Sequence, residues 1–242
     1  MTSYQLMVTP GLSGLFNMQY DLKLFYDFEK GIIPSTLRIY SWRPKCISLG
    51  YAQKVDQLIE TERAKELGWE VVKRPTGGGI VFHNEAEVTY SLVTAIDNPI
   101  LPEGLVASYK KISEAVARGL KLLGIDAQIT NYKHQITNNT KIPKSKFRNP
   151  LCFALTNNYE ISVDGKKIVG SAQKRGRRAM LQQGSIFVRR TPPEAFSVLK
   201  QQYNNIDAVS VEEVLGREVS FEELSEALLK GFKEELGVEF KT

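Results

Sequence analysis

The chain has 242 residues, 42% of them apolar and 24% charged, enough to close one sizeable core and unlike any disordered, collagen-like or coiled-coil composition. Its net charge of +5 hides a segregation. Thirteen Lys or Arg between residues 127 and 190 face only Glu160 and Asp164, a local balance of +11 that leaves the rest of the chain at −6.

In chain order, Ser13 is placed to cap a first helix whose Leu15, Met18, Leu22, Phe25 and Phe28 recur at helical spacing, with Gly31 as its stop. Extended segments follow at Leu37–Trp42 and Ile47–Gly50. A helix is expected over Gln57–Leu67, capped by Asp56 and ended by Gly68. A strand at Glu70–Arg74 runs into the loop 75–79, Val88–Val93 alternates as a strand, and Ser108–Leu123 reads as a long helix stopped by Gly124. Residues 130–151 have no periodicity and many Asn, Lys and Pro, which predicts a mobile basic loop too long to be mere connection. Asp164-Gly165 between two β-rich runs is a two-residue hairpin turn. A strand at Ser185–Arg189 and a helix from Ser220 to Leu236, with Ser220 and Glu223 as a capping box and Gly237 as its stop, complete the reading. With no repeat and no linker, residues 1–242 are expected to form a single α+β domain, a mixed β-sheet with packed helices, whose part 190–242 is helical.

No run of eighteen apolar residues occurs, and Met1–Phe16 lacks the basic and apolar regions of a signal peptide, so a soluble, cytoplasmic protein is expected. Two cysteines, Cys46 and Cys152, are too few for a disulfide framework and too far apart for a metal knuckle, so no residue is assigned to a metal.

The densest signal is Arg74-Pro75-Thr76-Gly77-Gly78-Gly79-Ile80-Val81-Phe82-His83. Glycines let backbone N–H groups approach an oxyanion or carbonyl closely, and Arg74 can add charge. Phe82 stands where a dinucleotide fingerprint needs a third glycine, and no Gly-Lys-Ser/Thr follows, so neither nucleotide loop is present. Taken alone, a glycine triplet is more often a turn or bulge.

With His83, this loop resembles the signature of the lipoate and biotin protein ligase and octanoyltransferase superfamily. Phe16-Asn17-Met18, Ser48-Leu49-Gly50-Tyr51, the segment Gly165-Lys166-Lys167-Ile168-Val169-Gly170-Ser171-Ala172-Gln173 and Leu181-Gln182-Gln183-Gly184-Ser185-Ile186 continue the match, which spans about residues 16–189. Cys152-Phe153 followed by Tyr159-Glu160 is similar to the octanoyltransferases that carry an acyl thioester on this cysteine.

The resemblance implies a biotin/lipoate ligase-like catalytic domain that transfers an octanoyl group from octanoyl-acyl carrier protein to a lysine of a lipoyl-accepting protein, a lipoyl domain or the glycine cleavage H protein. Cys152 and Lys167 are then catalytic: an ammonium near the thiol favours thiolate, and as a free amine Lys167 can take a proton from the incoming amine. Arg74, Thr76, Gly77, Gly78, Gly79, His83, Gly170, Ser171 and Ala172 would bind the acyl substrate. His83 could donate to the acyl carbonyl, shape the pocket or be a satisfied structural residue, and Ile80, Val81 and Phe82 could wall an eight-carbon channel or be ordinary core. Lys174, Arg175, Arg177 and Arg178 would meet the acidic carrier protein, and loop 130–151 would close over the thioester.

No cofactor is implied beyond the phosphopantetheine that the substrate carries. Gln183, where many members have histidine, and the ligase-like Gly79-Ile80-Val81-Phe82-His83 depart from the transferase pattern. They keep open a lipoate ligase catalytic domain needing ATP, Mg²⁺ and a separate accessory chain. The basic stretch by itself allows a non-catalytic nucleic-acid-binding module, or a solvated surface with no partner. Cys46 is read as structural.

Overall fold

The computed structural model describes residues 3–129, 159–201 and 207–241. Eleven strands and six α-helices are present among them: β1 (Ser3–Leu12), α1 (Gly14–Glu29), β2 (Thr36–Trp42), β3 (Cys46–Leu49), α2 (Val55–Leu58), α3 (Thr61–Glu66), β4 (Glu70–Lys73), β5 (Val81–His83), β6 (Val88–Ala95), α4 (Leu105–Leu122), β7 (Gln128–Ile129), β8 (Ile161–Val163), β9 (Lys166–Arg175), β10 (Ala179–Ile186), α5 (Val211–Leu215), α6 (Phe221–Leu236) and β11 (Glu239–Lys241). A short 3-10 helix covers Pro193–Val198.

Eight strands form the main sheet in the order β11-β1-β2-β6-β10-β9-β8-β7, and β4-β3-β5 form a smaller one. The main sheet is mixed, as expected: β1 runs parallel to both β11 and β2, and the pairs from β2 to β7 are antiparallel. One face carries α4 and α6, whose Ile112, Val116, Leu120, Leu224, Leu228 and Phe232 pack with Leu37, Ile39, Tyr90 and Leu92 as the principal core. The other face takes α1, where Leu24 and Phe25 meet Val93, Ala179 and Leu181. With both faces covered, the middle strands are buried along their whole length.

The hairpin at Asp164-Gly165 forms as its sequence dictates, both residues taking positive φ (48° and 78°), the geometry that matches strand twist. Ser13 caps α1, accepting from the Phe16 N–H at 3.2 Å.

Several elements differ from the sequence reading, among them the part 190–242, which is helical only in places and ends in β11. The single helix over 57–67 is two short ones, because Ile59 takes an extended conformation (φ −122°, ψ 133°) and bridges Leu199, and Asp56 lies inside α2 rather than capping it. Ser220 accepts from the Glu223 N–H, but the Glu223 carboxylate turns to Arg217; the complete capping box belongs to Ser210 and Glu213 at α5. The strand placed at 185–189 is β10 at Ala179–Ile186, hidden in sequence because its buried Gln182 and Gln183 interrupt the apolar run. Strands β1, β5 and β11 carried no sequence signal: β1 has a ragged burial pattern, and the other two span three residues each. The loop 130–151 and Cys152 lie outside the described residues.

Candidate active site

The glycine loop leaves the end of β4 and is held from beneath by Arg74. Arg74 Nη1 donates to the Ser48 carbonyl (3.0 Å) and Ser48 Oγ (3.2 Å), Nη2 to the carbonyls of Gly77 (2.7 Å) and Gly79 (2.6 Å), and Nε again to Gly77 O (3.1 Å). A guanidinium has five N–H donors, and these five bonds use them on the protein. Arg74 therefore braces the loop, and it does so from the wall of the cleft.

The loop also depends on close backbone approach. A Cβ on Gly50 would sit 2.1 Å from the Gly78 carbonyl oxygen, so only glycine fits there. Tyr51 N–H donates to the Thr76 carbonyl at 3.0 Å, and the buried Thr76 hydroxyl donates to Gln183 Oε1 at 2.7 Å. The loop is thus tied to the small sheet on one side and to β10 on the other.

Between these ties opens a cleft of about 350 Å³, counting its mouth, walled by Met18, Tyr40, Trp42, Ser48, Arg74, Thr76, Val81, His83, Thr89, Gly170, Ser171, Ala172, Gln183, Gly184 and Ser185. Of the expected acyl-binding residues, Arg74, Thr76, His83, Gly170, Ser171 and Ala172 line this cleft. Gly77 and Gly78 line a neighbouring hollow with Leu105, Val106, Tyr109 and Tyr159, which shares Ser171 and Ala172 with the cleft. Gly79 contributes its carbonyl to Arg74 and lines neither.

His83 closes the wall. Its ring stacks on Trp42 at 3.9 Å and 15°, Nε2 meets Ser48 Oγ at 2.8 Å and Nδ1 meets Ser185 Oγ at 3.3 Å. Burial, then the Arg74 cation, hold its pKa well below the ordinary histidine value, so it is neutral at pH 7. Ser185 in turn donates to Glu87 Oε1 at 3.1 Å. Burial pushes the Glu87 carboxyl well above its usual range, partly offset by that hydrogen bond. His83 is accordingly a satisfied wall residue. Of Ile80, Val81 and Phe82, Val81 faces the cleft while Ile80 and Phe82 belong to a separate core with Trp69. Cys46 is buried under Gly14, and burial followed by the Glu70 carboxylate raises its thiol pKa, which fits its structural assignment.

Behind the cleft lies a network the sequence reading missed. Asp21 Oδ1 accepts from Arg38 Nη1 (2.8 Å) and Ser91 Oγ (2.9 Å), and Oδ2 accepts from Tyr40 (2.9 Å) and Gln183 Nε2 (2.7 Å). Arg38 also reaches Thr9 and Asn17. Burial and the adjacent Asp21 keep the Tyr40 phenol protonated by raising its pKa well above 10.0. Because a carboxylate only accepts, Asp21 fixes which end of the Gln183 amide faces it, and the other end must take the Thr76 hydroxyl. The signal was present: Asn17 and Asp21 interrupt the apolar stripe of α1 on its buried side.

Lys167 opens β9 three residues before Gly170. Its backbone is bonded on both sides of one segment, N–H to Asp207 O and C=O from Val209 N–H, each at 3.0 Å. The side chain is 2% exposed, and its ammonium meets Glu160 Oε1 at 2.5 Å. It is therefore no solvated hairpin lysine. Ser171 is held by Tyr90 (3.0 Å) and by Tyr109, which donates to its carbonyl (3.2 Å).

The basic stretch is less free than its count implied. Arg189 and Arg190 pair with Glu212, Glu218 and Glu213. Arg175 donates to Ser108, Gln173 and the Ile96 carbonyl, so it braces the fold rather than facing a partner. Lys174 lies over the Phe25 ring, while Arg177 and Arg178 are exposed beyond it. Among the described residues no helix is long and apolar enough to cross a membrane.

This arrangement, a glycine loop braced by arginine over a mixed sheet with a buried lysine at the following hairpin, is that of a lipoate-handling catalytic domain. The family model for the lipoyl protein ligase A/B catalytic domain matches residues 13–233, and the chain belongs to that family. It is similar to octanoyltransferase LipM of Kyrpidia tusciae, 37% identical over 98% of this chain and 88% of that protein, and to octanoyltransferase LipM of Clostridioides difficile, 30% identical over 99% and 89%. A crystal structure of lipoate-protein ligase A bound with ATP superposes with a TM-score of 0.76 at 25% identity, covering 99% of this chain and 87% of that one.

Proposed function

We propose that this protein is an acyltransferase that moves an octanoyl group from octanoyl-acyl carrier protein to a lysine of a lipoyl-accepting protein in lipoate biosynthesis, through a thioester on Cys152. The observation that carries this reading is the full-length similarity, at 30–37% identity, to proteins named octanoyltransferase LipM. The apolar side of the cleft beneath the glycine loop, formed by Met18, Tyr40, Trp42 and Val81, supports it as the surface an acyl chain would meet.

The chemistry balances without an energy source. The Cys152 thiolate attacks the thioester carbonyl, the bond to the phosphopantetheine sulfur breaks, and that sulfur takes a proton from the Lys167 ammonium. One thioester replaces another at little cost in free energy. The acceptor lysine then attacks as a free amine, the bond from carbonyl to Cys152 breaks, and the proton lost by nitrogen goes to Lys167, restoring the thiolate–ammonium pair. An amide replaces a thioester, so the second half draws the first forward. No cofactor takes part.

Lys174, Arg177 and Arg178 form the cationic approach for an acidic carrier or acceptor protein. Intact-mass spectrometry after mixing with octanoyl-acyl carrier protein, without ATP or Mg²⁺, tests the reading. A gain of one octanoyl group, absent in Cys152→Ser, is expected. Transfer that persists in Cys152→Ser, or that requires ATP, would replace it with the ligase chemistry.

A further inference from the structure

The wall of the cleft around His83 is a hydrogen-bond chain with a direction. Two of its members can only donate, the Trp42 indole N–H and the Arg74 guanidinium. Trp42 Nε1 donates to Thr89 Oγ1 at 2.9 Å, and Thr89 gives its own hydrogen to Ser185 Oγ at 3.4 Å. On the other branch Arg74 Nη1 donates to Ser48 Oγ at 3.2 Å, and Ser48 Oγ lies 2.8 Å from His83 Nε2. His83 Nδ1 is 3.3 Å from Ser185 Oγ, so both branches meet on that hydroxyl. Ser185 has one hydrogen to give, and it goes to Glu87 Oε1 at 3.1 Å.

With that hydrogen committed, Ser185 can only accept from the imidazole, so Nδ1 is the donor. A neutral imidazole carries one N–H, which makes Nε2 the acceptor of the Ser48 hydrogen. Glu87 is fully buried and stands behind the wall, outside the cleft itself. Its Oε2 has no hydrogen-bond partner among the described residues. Burial raises the carboxyl pKa, and a proton taken up on Oε2 leaves Oε1 accepting from Ser185.

We infer that Glu87 is a positioning residue that sets acyl-chain selectivity: by accepting from Ser185 it turns the hydrogens of Ser48, His83, Thr89 and Ser185 into the protein, so these side chains offer the cleft no donor and favour a chain without polar groups. This rests on the proposed octanoyl transfer and deepens it. Without an acceptor at position 87 one hydrogen is left over. It stays on Ser185, or it turns to Nδ1, the imidazole carries its proton on Nε2 instead, and Ser48 holds the spare hydrogen. Ser185 and Ser48 both line the cleft, so in either case the wall gains a donor.

Two measurements on the full chain test this. The first is the His83 tautomer at pH 7 by nitrogen NMR, its signals assigned by their loss in His83→Gln. The wild type should carry the proton on Nδ1, and so should Glu87→Gln, whose amide oxygen can still accept from Ser185. The second is competition between octanoyl- and 7-oxooctanoyl-acyl carrier protein for loading, read by intact mass. The added ketone accepts but cannot donate, so burying it against a wall without donors is costly, and the wild type should prefer the octanoyl group by about tenfold. Glu87→Gln should show the same preference. In Glu87→Leu it should shrink by about threefold or more, because the freed hydroxyl hydrogen can meet the ketone.

A wild-type His83 protonated on Nε2 overturns the inference, as does a folded Glu87→Leu that keeps the wild-type preference. Should Glu87→Leu fail to fold, the wild-type and Glu87→Gln results decide: an Nδ1 proton together with selection against the ketone supports the inference, and the lack of either defeats it. A wild-type chain that takes up neither acyl group defeats the transfer reading itself. One that loads the octanoyl group and the ketone equally well defeats only this step.

Discussion

Two buried ion pairs divide the labour in this molecule. Asp21–Arg38 sits where α1 meets the middle of the main sheet, 0% exposed on both sides, with Ser91, Tyr40, Gln183, Asn17 and Thr9 filling the remaining bonding positions. Lys167–Glu160 sits toward the sheet's edge, where β8 meets β9. The first reaches the cleft through Tyr40, Gln183 and Thr76, and so frames it. The second holds the lysine proposed for the acid–base work of the transfer. Burial and charge are alike in the two; what differs is the task each is given, framing in the one and the proposed chemistry in the other.

Separating framework from chemistry is the sharpest way to break that comparison. Arg38→Leu strands Asp21 without its counter-ion and should destabilise the fold by about 3–5 kcal/mol in urea unfolding. Lys167→Met/Glu160→Leu removes both charges together and should leave the unfolding midpoint unchanged or higher, while octanoyl transfer drops by about 10²–10⁴-fold, the usual worth of a positioned acid–base group. If the second variant loses stability as the first does, the two pairs play one role.

A middle-sized effect is expected at their link to the loop. Gln183→Leu deprives Asp21 of a donor and the buried Thr76 hydroxyl of its acceptor, at about 1–3 kcal/mol, and it should raise KM for the acyl donor more than it lowers kcat.

The pH dependence of stability gives a smaller signal with a fixed sign. His83 is held neutral in the fold, with a pKa well below the ordinary value. Below about pH 6.5 the unfolded chain therefore binds a proton the folded one refuses, and stability falls with falling pH by up to ~1.4 kcal/mol per unit. Tm measured from pH 7 to 5 should fall less steeply in His83→Gln than in the wild type. Glu87 works in the opposite sense, since its raised folded pKa favours the folded state as pH drops and takes stability away as pH climbs above about 4.5. The smallest effect belongs to the surface: charge reversal at Arg177 and Arg178 should slow transfer from an acidic carrier a few-fold at low salt, and the difference should vanish at high salt.

Legibility in the sequence followed the range of the interactions involved. Asp164-Gly165 and Ser13 with α1 were readable because a turn and a cap are decided within a few residues, whereas the need for glycine at position 50 was not, since the carbonyl it must approach belongs to Gly78. Cys46 was already read as structural, and Gly14 and Glu70 around its thiol agree with that; His83 stayed open until its distant neighbours Trp42, Ser48 and Ser185 were seen around the imidazole. Arg74 was noticed for its place in the loop, but its bracing of that loop was not legible, because charge is visible in a sequence and the carbonyls that accept from it are not.

By itself the sequence determined the class of fold, the glycine loop, the hairpin carrying Lys167 and the family to which the chain belongs, since each is written in local spacing and residue type. Only the tertiary structure decided that Arg74 braces the glycine loop, that Asp21 orients Gln183, that Arg175, Arg189 and Arg190 donate to the protein's own acceptors, and that Lys167 is buried against Glu160. Those are matters of solvation and pairing between residues far apart along the chain, or, for Lys167 and Glu160, across a hairpin, Glu160 standing just before β8 and Lys167 in β9. A side chain's charge is a property of its type, but what that charge can do is set by the water it has lost and the partner it has found.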